Sequence, residues 1–269
     1  MATQDIQTTA EFGGKVVVIT GAASGIGRAA ALRLAADGAE IVALDRSREG
    51  LDSLTGGIGK LGRRCATVCG DLSDVALVQN AIDLAVQEFG GLDALVNNAG
   101  IGGAMKRFDK LDGADFDTIV AVNLKPVWYG IKAAFAPMRA RGGGAIVNVS
   151  SMAGLRPNRH HAPYGMSKAA VISLTQHAAM DYAPYNIRVN CLCPGPVDTP
   201  IFGQMQGAIG QAAYDSARQR IQQRTVMNRF GTAGEQAAAI AFLLSPQASF
   251  ITGVALPVDG GWNISDGQS

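Results

Sequence analysis

Tyr164 and Lys168 stand four residues apart, one helical turn, in a segment whose periodicity and Pro163 predict a helix over Tyr164–Ala183. One face of that helix would present a phenol beside an ammonium. Just upstream, the β-branched run Ala145–Val149 reads as a buried strand that ends on Ser150 and Ser151. A hydroxyl is therefore offered to the same pair. A phenol titrates near pH ~10 and is a poor base at neutral pH. Lowering it by about three units takes roughly 4 kcal/mol in favour of the phenolate. One ammonium about 4 Å away supplies roughly that at an effective dielectric of about 20. The chemistry expected is proton transfer at an oxygen, with Tyr164 exchanging the proton and a serine hydroxyl bonding the same oxygen. Ser150 and Ser151 both fit the spacing. A Y-x-x-x-K pattern alone is weak, so the surrounding elements must support it.

Alternating strands and helices supply the scaffold. Lys15–Thr20 is apolar without polar alternation, as in a strand buried on both faces of a parallel sheet. It runs into Gly21-Ala-Ala-Ser24-Gly25-Ile26-Gly27, and a helical pattern continues to Gly38, which closes it. Strand, glycine loop and helix N-terminus in that order suit a dinucleotide pyrophosphate: the loop backbone can approach closely and the helix offers free N–H groups. The spacing is G-x-x-x-G-x-G, not the commoner G-x-G-x-x-G. The second strand, Glu40–Leu44, ends on Asp45, 24 residues after Gly21. An acid there is placed to accept from a ribose hydroxyl and to repel a 2′-phosphate. Arg46 beside it leaves a phosphate-bearing cofactor open. Further strands are predicted at Arg64–Cys69, Ala94–Val96, Ile187–Leu192 and Val254–Val258, and helices at Leu51–Gly62, Asp74–Phe89, Phe116–Ala136 and Glu235–Leu244. On the Asp74–Phe89 helix, Val75, Val78, Ile82, Ala85, Val86 and Phe89 form the apolar side. Asn97 and Asn98 follow the fourth strand, on the edge where such sheets bind ligands. Asn123 falls inside a helix, where asparagine is unfavourable, and Pro126 marks a kink. The whole predicts one α/β domain over residues 1–269, with a frayed tail at 1–13.

Composition removes other functions. Hydrophobic residues are 48% and charged residues 17%, which excludes a disordered chain. A net charge of +1 without a basic block argues against nucleic acid, and no apolar run reaches a membrane-spanning length. The N-terminal stretch lacks the charged and apolar regions of a signal peptide. Cys65, Cys69, Cys191 and Cys193 form no C-x-x-C pair; in apolar strand-like stretches they read as buried free thiols of a cytoplasmic protein. His160, His161 and His177 show no ligand spacing, and no metal is expected.

Taken together, T-G-A-A-S-G-I-G at Thr20–Gly27, N-N-A-G at Asn97–Gly100, Asn123, Ser151, Y-x-x-x-K at Tyr164–Lys168 and P-G-P-V-D-T at Pro194–Thr199 resemble the classical short-chain dehydrogenase/reductase family. The resemblance runs from Lys15 to about Trp262. It implies a Rossmann fold, doubly wound on a seven-stranded parallel sheet. It implies a catalytic tetrad of Asn123, Ser151, Tyr164 and Lys168, the family's gap before the tyrosine selecting Ser151 over Ser150. In that tetrad Tyr164 is the acid/base and Ser151 polarises the substrate oxygen. Lys168 lowers the tyrosine pKa and binds the nicotinamide ribose, and Asn123 holds a water that relays protons. With Tyr164 and Lys168, the cofactor contacts implied are Gly21, Ser24, Gly25, Ile26, Gly27, Asp45, Arg46, Asp71, Leu72, Asn98, Ala99, Gly100, Pro194, Gly195, Val197 and Thr199. The resemblance also implies an oligomer, often a tetramer, and the Tyr164–Ala183 helix, apolar on more than one face, fits a subunit interface.

The function expected is hydride transfer between NAD(H) and a secondary alcohol or ketone, with NAD preferred over NADP on account of Asp45. Two others compete: an NADP-dependent carbonyl reductase of the 3-oxoacyl type, and a protein that senses the dinucleotide without turnover. The complete tetrad argues against the sensor. Residues 201–230 are long for a connection, carry Gly203, Gly207 and Gly210, and predict a mobile lid with a helical stretch at Tyr214–Gln223. Ser151, Tyr164 and Met152 are expected against the substrate. Ile101, Met105, Met152, Leu155, Ile201, Phe202 and Met205 around the cleft predict a small or medium, largely apolar partner, alicyclic or aromatic. Arg156, Arg159, His160 and His161 share one loop there, and either arginine would instead anchor an acid.

Overall fold

A computed structural model describes residues 11–199 and 210–265. The expectations for residues 1–10 and for Ile201, Phe202, Met205, Gly203 and Gly207 lie outside the described residues.

Seven strands form one sheet: β1 (Val16–Thr20), β2 (Glu40–Asp45), β3 (Cys65–Cys69), β4 (Ala94–Asn97), β5 (Gly144–Val149), β6 (Ile187–Pro194) and β7 (Ala255–Val258). Their order is β3-β2-β1-β4-β5-β6-β7, and every pairing is parallel. Helices α1 (Gly25–Ala36), α2 (Arg48–Lys60) and α3 (Ala76–Phe89) connect the first four strands. Next come α4 (Gly113–Ile119), α5 (Lys125–Ala140), the single-turn α6 (Met152–Leu155), α7 (Ala162–Tyr182), α8 (Gln211–Gln223) and α9 (Ala233–Leu244).

Strand alternation divides the core in two. Val17 and Ile19 of β1 join the cluster that holds Ala30 and Leu34 of α1 and Ile240 of α9. Val16 and Val18 join the opposite cluster, with Ile82 of α3, Ile131 of α5 and Val171 of α7. A slip of one residue would exchange the two sets, so burial on both faces fixes the register. Parallel pairing also brings all strand C-termini to one edge. Ile19 is paired with Val96, Asn97 with Asn148, and Val149 with Leu192, so the segments after β1, β4, β5 and β6 emerge side by side.

Some local expectations need correction. The helix predicted over Phe116–Ala136 is two helices joined by a π turn at Val120–Leu124, with Pro126 in the first turn of α5. Proline suits that position because its missing N–H would be unpaired there. α3 starts at Ala76 instead of Asp74, since the Asp74 carboxylate accepts from the Ala76 amide at 3.1 Å and holds the chain in a turn. Val86 is exposed on α3, its apolar side being Val78, Ala81, Ile82 and Ala85. Cys65 and Cys69 are only half-buried, because β3 is an edge strand, whereas Cys191 and Cys193 are buried; all four are free thiols.

Candidate active site

At the end of β1, Gly21 has φ +66°. A Cβ there would lie 2.8 Å from the Asn98 side-chain nitrogen, so the turn after β1 requires glycine. The Asn98 carboxamide donates to the Thr20 and Gly21 carbonyls at 3.0 and 3.1 Å. The Thr20 hydroxyl oxygen accepts from the Asn98 and Ala99 amides at 3.0 and 3.1 Å. Sequence reasoning passed over Thr20 as a site residue, though it welds the glycine loop to the segment after β4. Asp45, at the end of β2, accepts from the Ala23 amide at 3.0 Å and the Ser47 amide at 2.9 Å. Arg46 is exposed beside it. Asp71 is held below the usual carboxylate range by backbone and side-chain hydrogen bonds from Ser73, with the Arg46 charge a smaller contribution.

This edge fits a dinucleotide. Ser24 is the N-cap of α1 but its side chain makes no capping bond, and no acid occupies the first turn, where Gly25, Ile26 and Gly27 lie. A twelve-residue helix thus presents unneutralised positive potential beside a loop built for close backbone approach. Leu72 and Val197 are buried at its margins, and Val197 bridges to Gly231. Pro194 ends β6, Gly195 bonds the Val258 carbonyl at 3.1 Å, and the Thr199 hydroxyl donates weakly to the Val197 carbonyl at 3.5 Å.

The catalytic candidates converge on the same edge. Ser150 is occupied: buried, it donates to the Lys168 carbonyl at 2.7 Å and ties β5 to α7. Ser151 caps α6 by accepting from the Ala153 amide at 3.1 Å, and its hydroxyl lies close enough to the Tyr164 phenol to favour the phenolate. Geometry thus separates the two serines. The Lys168 ammonium is buried, donates to the Val149 carbonyl at 2.9 Å and lies 5.7 Å from the Tyr164 ring centroid. Burial pulls its pKa down to about 8. A side-chain atom added at Gly100 would sit 3.3 Å from both that nitrogen and the Asn123 side-chain oxygen, so the three meet at one point.

Tyr164 departs from expectation. Its phenol is pushed above its ordinary value, mainly by burial, with the nearby Ser151 hydroxyl pulling it back in part. The Lys168 ammonium donates to the Val149 carbonyl. Asn123, fully buried in the π turn, accepts from the Ile101 amide at 2.8 Å and donates to the Ile101 carbonyl at 2.9 Å. The side chain is thus bonded at both ends to the Ile101 backbone, on the wall of the candidate cleft.

On that wall, Met152 is buried among core side chains, while Met105 and Leu155 are exposed and Ile101 is half-buried. Arg156, Arg159 and His160 are exposed, and Arg156 reaches the Ser265 carbonyl at 3.4 Å. His161, in the same loop, instead stacks its ring on Tyr164 with centroids 4.5 Å apart and planes inclined by 15°. Only its position three residues before the tyrosine could have signalled this. α8 is fastened by a bidentate pair in which Arg218 donates to Asp198 at 3.2 and 2.9 Å. Among the described residues no cluster of His, Cys, Asp and Glu has metal-binding geometry, and no helix is long and apolar enough to cross a membrane.

A family model described as enoyl-(acyl carrier protein) reductase matches residues 21–263. Levodione reductase of Leifsonia aquatica is 35% identical over 255 residues, covering 94% of this chain and 96% of its own. A solved structure of levodione reductase superposes with a TM-score of 0.90 at 35% identity, over 94% of this chain and 99% of that one. Cis-4-hydroxycyclohexanecarboxylate dehydrogenase of Sinomonas cyclohexanicum is 41% identical over 251 residues, 93% of this chain and 97% of its own. NAD+-bound xylitol dehydrogenase superposes with a TM-score of 0.87 at 36% identity, over 93% and 99% of the two chains.

Proposed function

The chain belongs to the classical short-chain dehydrogenase/reductase family, oxidoreductases acting on alcohols and ketones, and from that membership we propose that it transfers a hydride between NAD(H) and a small or medium, largely apolar alicyclic secondary alcohol or its ketone. The observation that carries the reading is the convergence of Ser151, Tyr164 and the buried Lys168, one helical turn from Tyr164, on the sheet edge that also bears the glycine loop. Bound NAD would supply the hydride acceptor, held by the α1 N-terminus and the Asp45 carboxylate. Ser151 holds the substrate oxygen. Tyr164 takes the hydroxyl proton in oxidation and returns it in reduction. Oxidation of the alcohol releases a proton and reduction of the ketone takes one up, so oxidation gains as pH rises. Lys168 contributes a charge next to Gly100, Asn123 and the Val149 carbonyl.

NAD is favoured because Asp45, oriented by two amides, repels a 2′-phosphate. The ring-shaped substrate rests on the exposed apolar Met105 and Leu155 beside the cleft, and on cyclohexane chemistry in the name of one relative. That same name carries a carboxylate, which supports a second reading: an acid-bearing ring alcohol held by Arg156 or Arg159. An NADP-dependent 3-oxoacyl-type reductase is the further alternative, suggested by the acyl carrier in the family description.

We also propose a cytoplasmic homotetramer. Supporting the assembly, Trp128 (55% exposed) and Tyr129 of α5 line a groove of about 530 Å³ with Ala170, Ser173 and Leu174 of α7, and Met166 and Met180 are exposed on α7. The free thiols fit a reducing compartment.

The test is turnover of purified protein with NAD or NADP against neutral ring alcohols, ketones, carboxylate-bearing analogues and 3-oxoacyl thioesters, read by reduced-cofactor absorbance. NAD with a neutral ring alcohol should give the highest kcat/KM. Carboxylates that win, and lose their advantage in Arg156→Ala or Arg159→Ala, establish the second reading. Absence of turnover with every class overturns the proposal.

A further inference from the structure

His161 belongs to none of the roles assigned above, yet it touches both walls of the cleft. Its Nε2 lies 2.9 Å from the Gly102 carbonyl oxygen. A carbonyl can only accept, so Nε2 carries the hydrogen and donates. Burial lowers the imidazole pKa, so at neutral pH the ring is uncharged and this tautomer persists. The same ring lies nearly parallel to the Tyr164 ring, at a centroid spacing within the stacking range. The backbone around it is specialised: His160 has φ +62°, a left-handed conformation that a histidine rarely adopts, and His161 is the N-cap of α7. The side chain of His161 is committed sideways, across the cleft, and makes no capping bond. From the other side, Asn123 grips Ile101 at both its amide and its carbonyl. The Ile101–Gly102 segment is thus pinned from the π turn and from the front of α7 together.

We propose that His161 is a positioning residue that sets the width of the substrate gap, by bonding Gly102 while backing the Tyr164 ring. The inference rests on the reading of Tyr164 as the proton-transferring group. Its consequence is a size limit: the space between Ile101–Gly102 and the phenol admits a flat or compact ring and resists bulkier ones. Hydrogen bond and stack are separable roles of one side chain, and substitutions can part them.

Three variants test it. His161→Gln keeps an N–H at the Nε position and loses the stack. His161→Phe keeps the stack and loses the donor. His161→Ala loses both. His161→Phe should raise KM for a ring alcohol about fivefold, the scale of one lost hydrogen bond, while holding kcat within about twofold. It should also admit alcohols with bulkier ring substituents. His161→Gln should leave KM near wild type and lower kcat about threefold to tenfold, the scale of an aromatic pair. Hydrogen exchange over residues 100–107, which needs no turnover, should quicken in the Phe and Ala variants and stay at the wild-type rate in Gln. Equal exchange in all four proteins, or Phe and Gln variants that shift KM and kcat alike, overturns the inference. A wild-type protein inactive on every alcohol and ketone, whose Phe variant still loosens residues 100–107, would overturn the proposed reaction and leave the clamp standing.

Discussion

Two regions share the C-terminal edge of the sheet and are held in opposite ways. On the dinucleotide side, Thr20, Asn98 and Asp45 direct short hydrogen bonds at backbone groups, between residues far apart in sequence and largely out of water. On the outer rim of the side proposed for the substrate, beyond the Ile101–Gly102 segment that Asn123 and His161 pin, Lys106–Asp115, Arg107–Asp109 and Arg218–Asp198 are ion pairs open to solvent on α4, α8 and the neighbouring loops. Buried bonds to backbone leave an unsatisfied group when one partner is lost, at about 1–3 kcal/mol each, whereas exposed pairs contribute about 0–1 kcal/mol. The seam between the glycine loop and the segment after β4 is therefore intolerant of change, whereas the outer rim can be rewritten. A fold built this way can keep its cofactor while its substrate drifts, and loops of differing sequence on a constant edge are the means.

Tyr164, where the two regions meet, gives the largest expected effect. Tyr164→Phe should lower kcat by about 10²–10⁴-fold with cofactor affinity unchanged, measured by steady-state kinetics and nucleotide titration. A variant that keeps more than about a tenth of wild-type kcat would move the proton chemistry elsewhere. Lys168 comes next. Its folded pKa of about 8 lies below the unfolded value of 10.5, so the folded state binds fewer protons between those limits. The buried charge destabilises the fold below pH 8 and is relieved as pH climbs toward 10.5. Lys168→Met should therefore be the more stable protein at neutral pH, by at most on the order of 3 kcal/mol, with the gap closing at alkaline pH in denaturation series. A gap that widens with pH would contradict the burial argument.

Thr20→Val sharpens the contrast within the rigid half. Two amides lose their acceptor, and stability should fall by about 1–3 kcal/mol, together with weaker nucleotide binding. Asp45→Asn keeps an acceptor for one amide and removes the charge. Wild-type kcat/KM should favour NAD by at least about tenfold, about 1.4 kcal/mol, and the variant should lose that preference. A wild type that uses NADP equally well would shift the discriminating role to Arg46. The smallest effect belongs to the adaptable half: Arg218→Met should change stability by less than about 1 kcal/mol. Should it match Thr20→Val, the two regions are not held differently after all.

How much of this could be read from the chain depends on which half is considered. Apolar strands without alternation and the glycine loop have local causes, and the parallel sheet follows from them. Ser151, Tyr164 and Lys168 were legible because helical spacing and a strand end fix their meeting. The π turn was not, since Asn123 and Pro126 announce a break in the helix without saying how the backbone is re-paired. The direction of the Tyr164 shift was also hidden: spacing gives proximity to Lys168, while burial is a property of the folded whole. His161 escaped because stacking across a loop leaves no periodic trace.

The order β3-β2-β1-β4-β5-β6-β7 has a consequence for how the molecule comes into being. β1 finds β2 through one crossover, but its other neighbour, β4, arrives only after two further helices and a strand have been made. Thr20 and Asn98, which join the two ends of that pairing, are 78 residues apart in the chain. Closing a loop of that length opposes folding by on the order of 4 kcal/mol before any contact rewards it, and topologies rich in such pairings fold slowly. The glycine loop and the catalytic edge are therefore assembled from segments that meet late. While β1 waits, its exposed edge is open to the wrong partner, and binding of a dinucleotide across the β1–β4 seam would hold closed the contact that folding reaches with most difficulty.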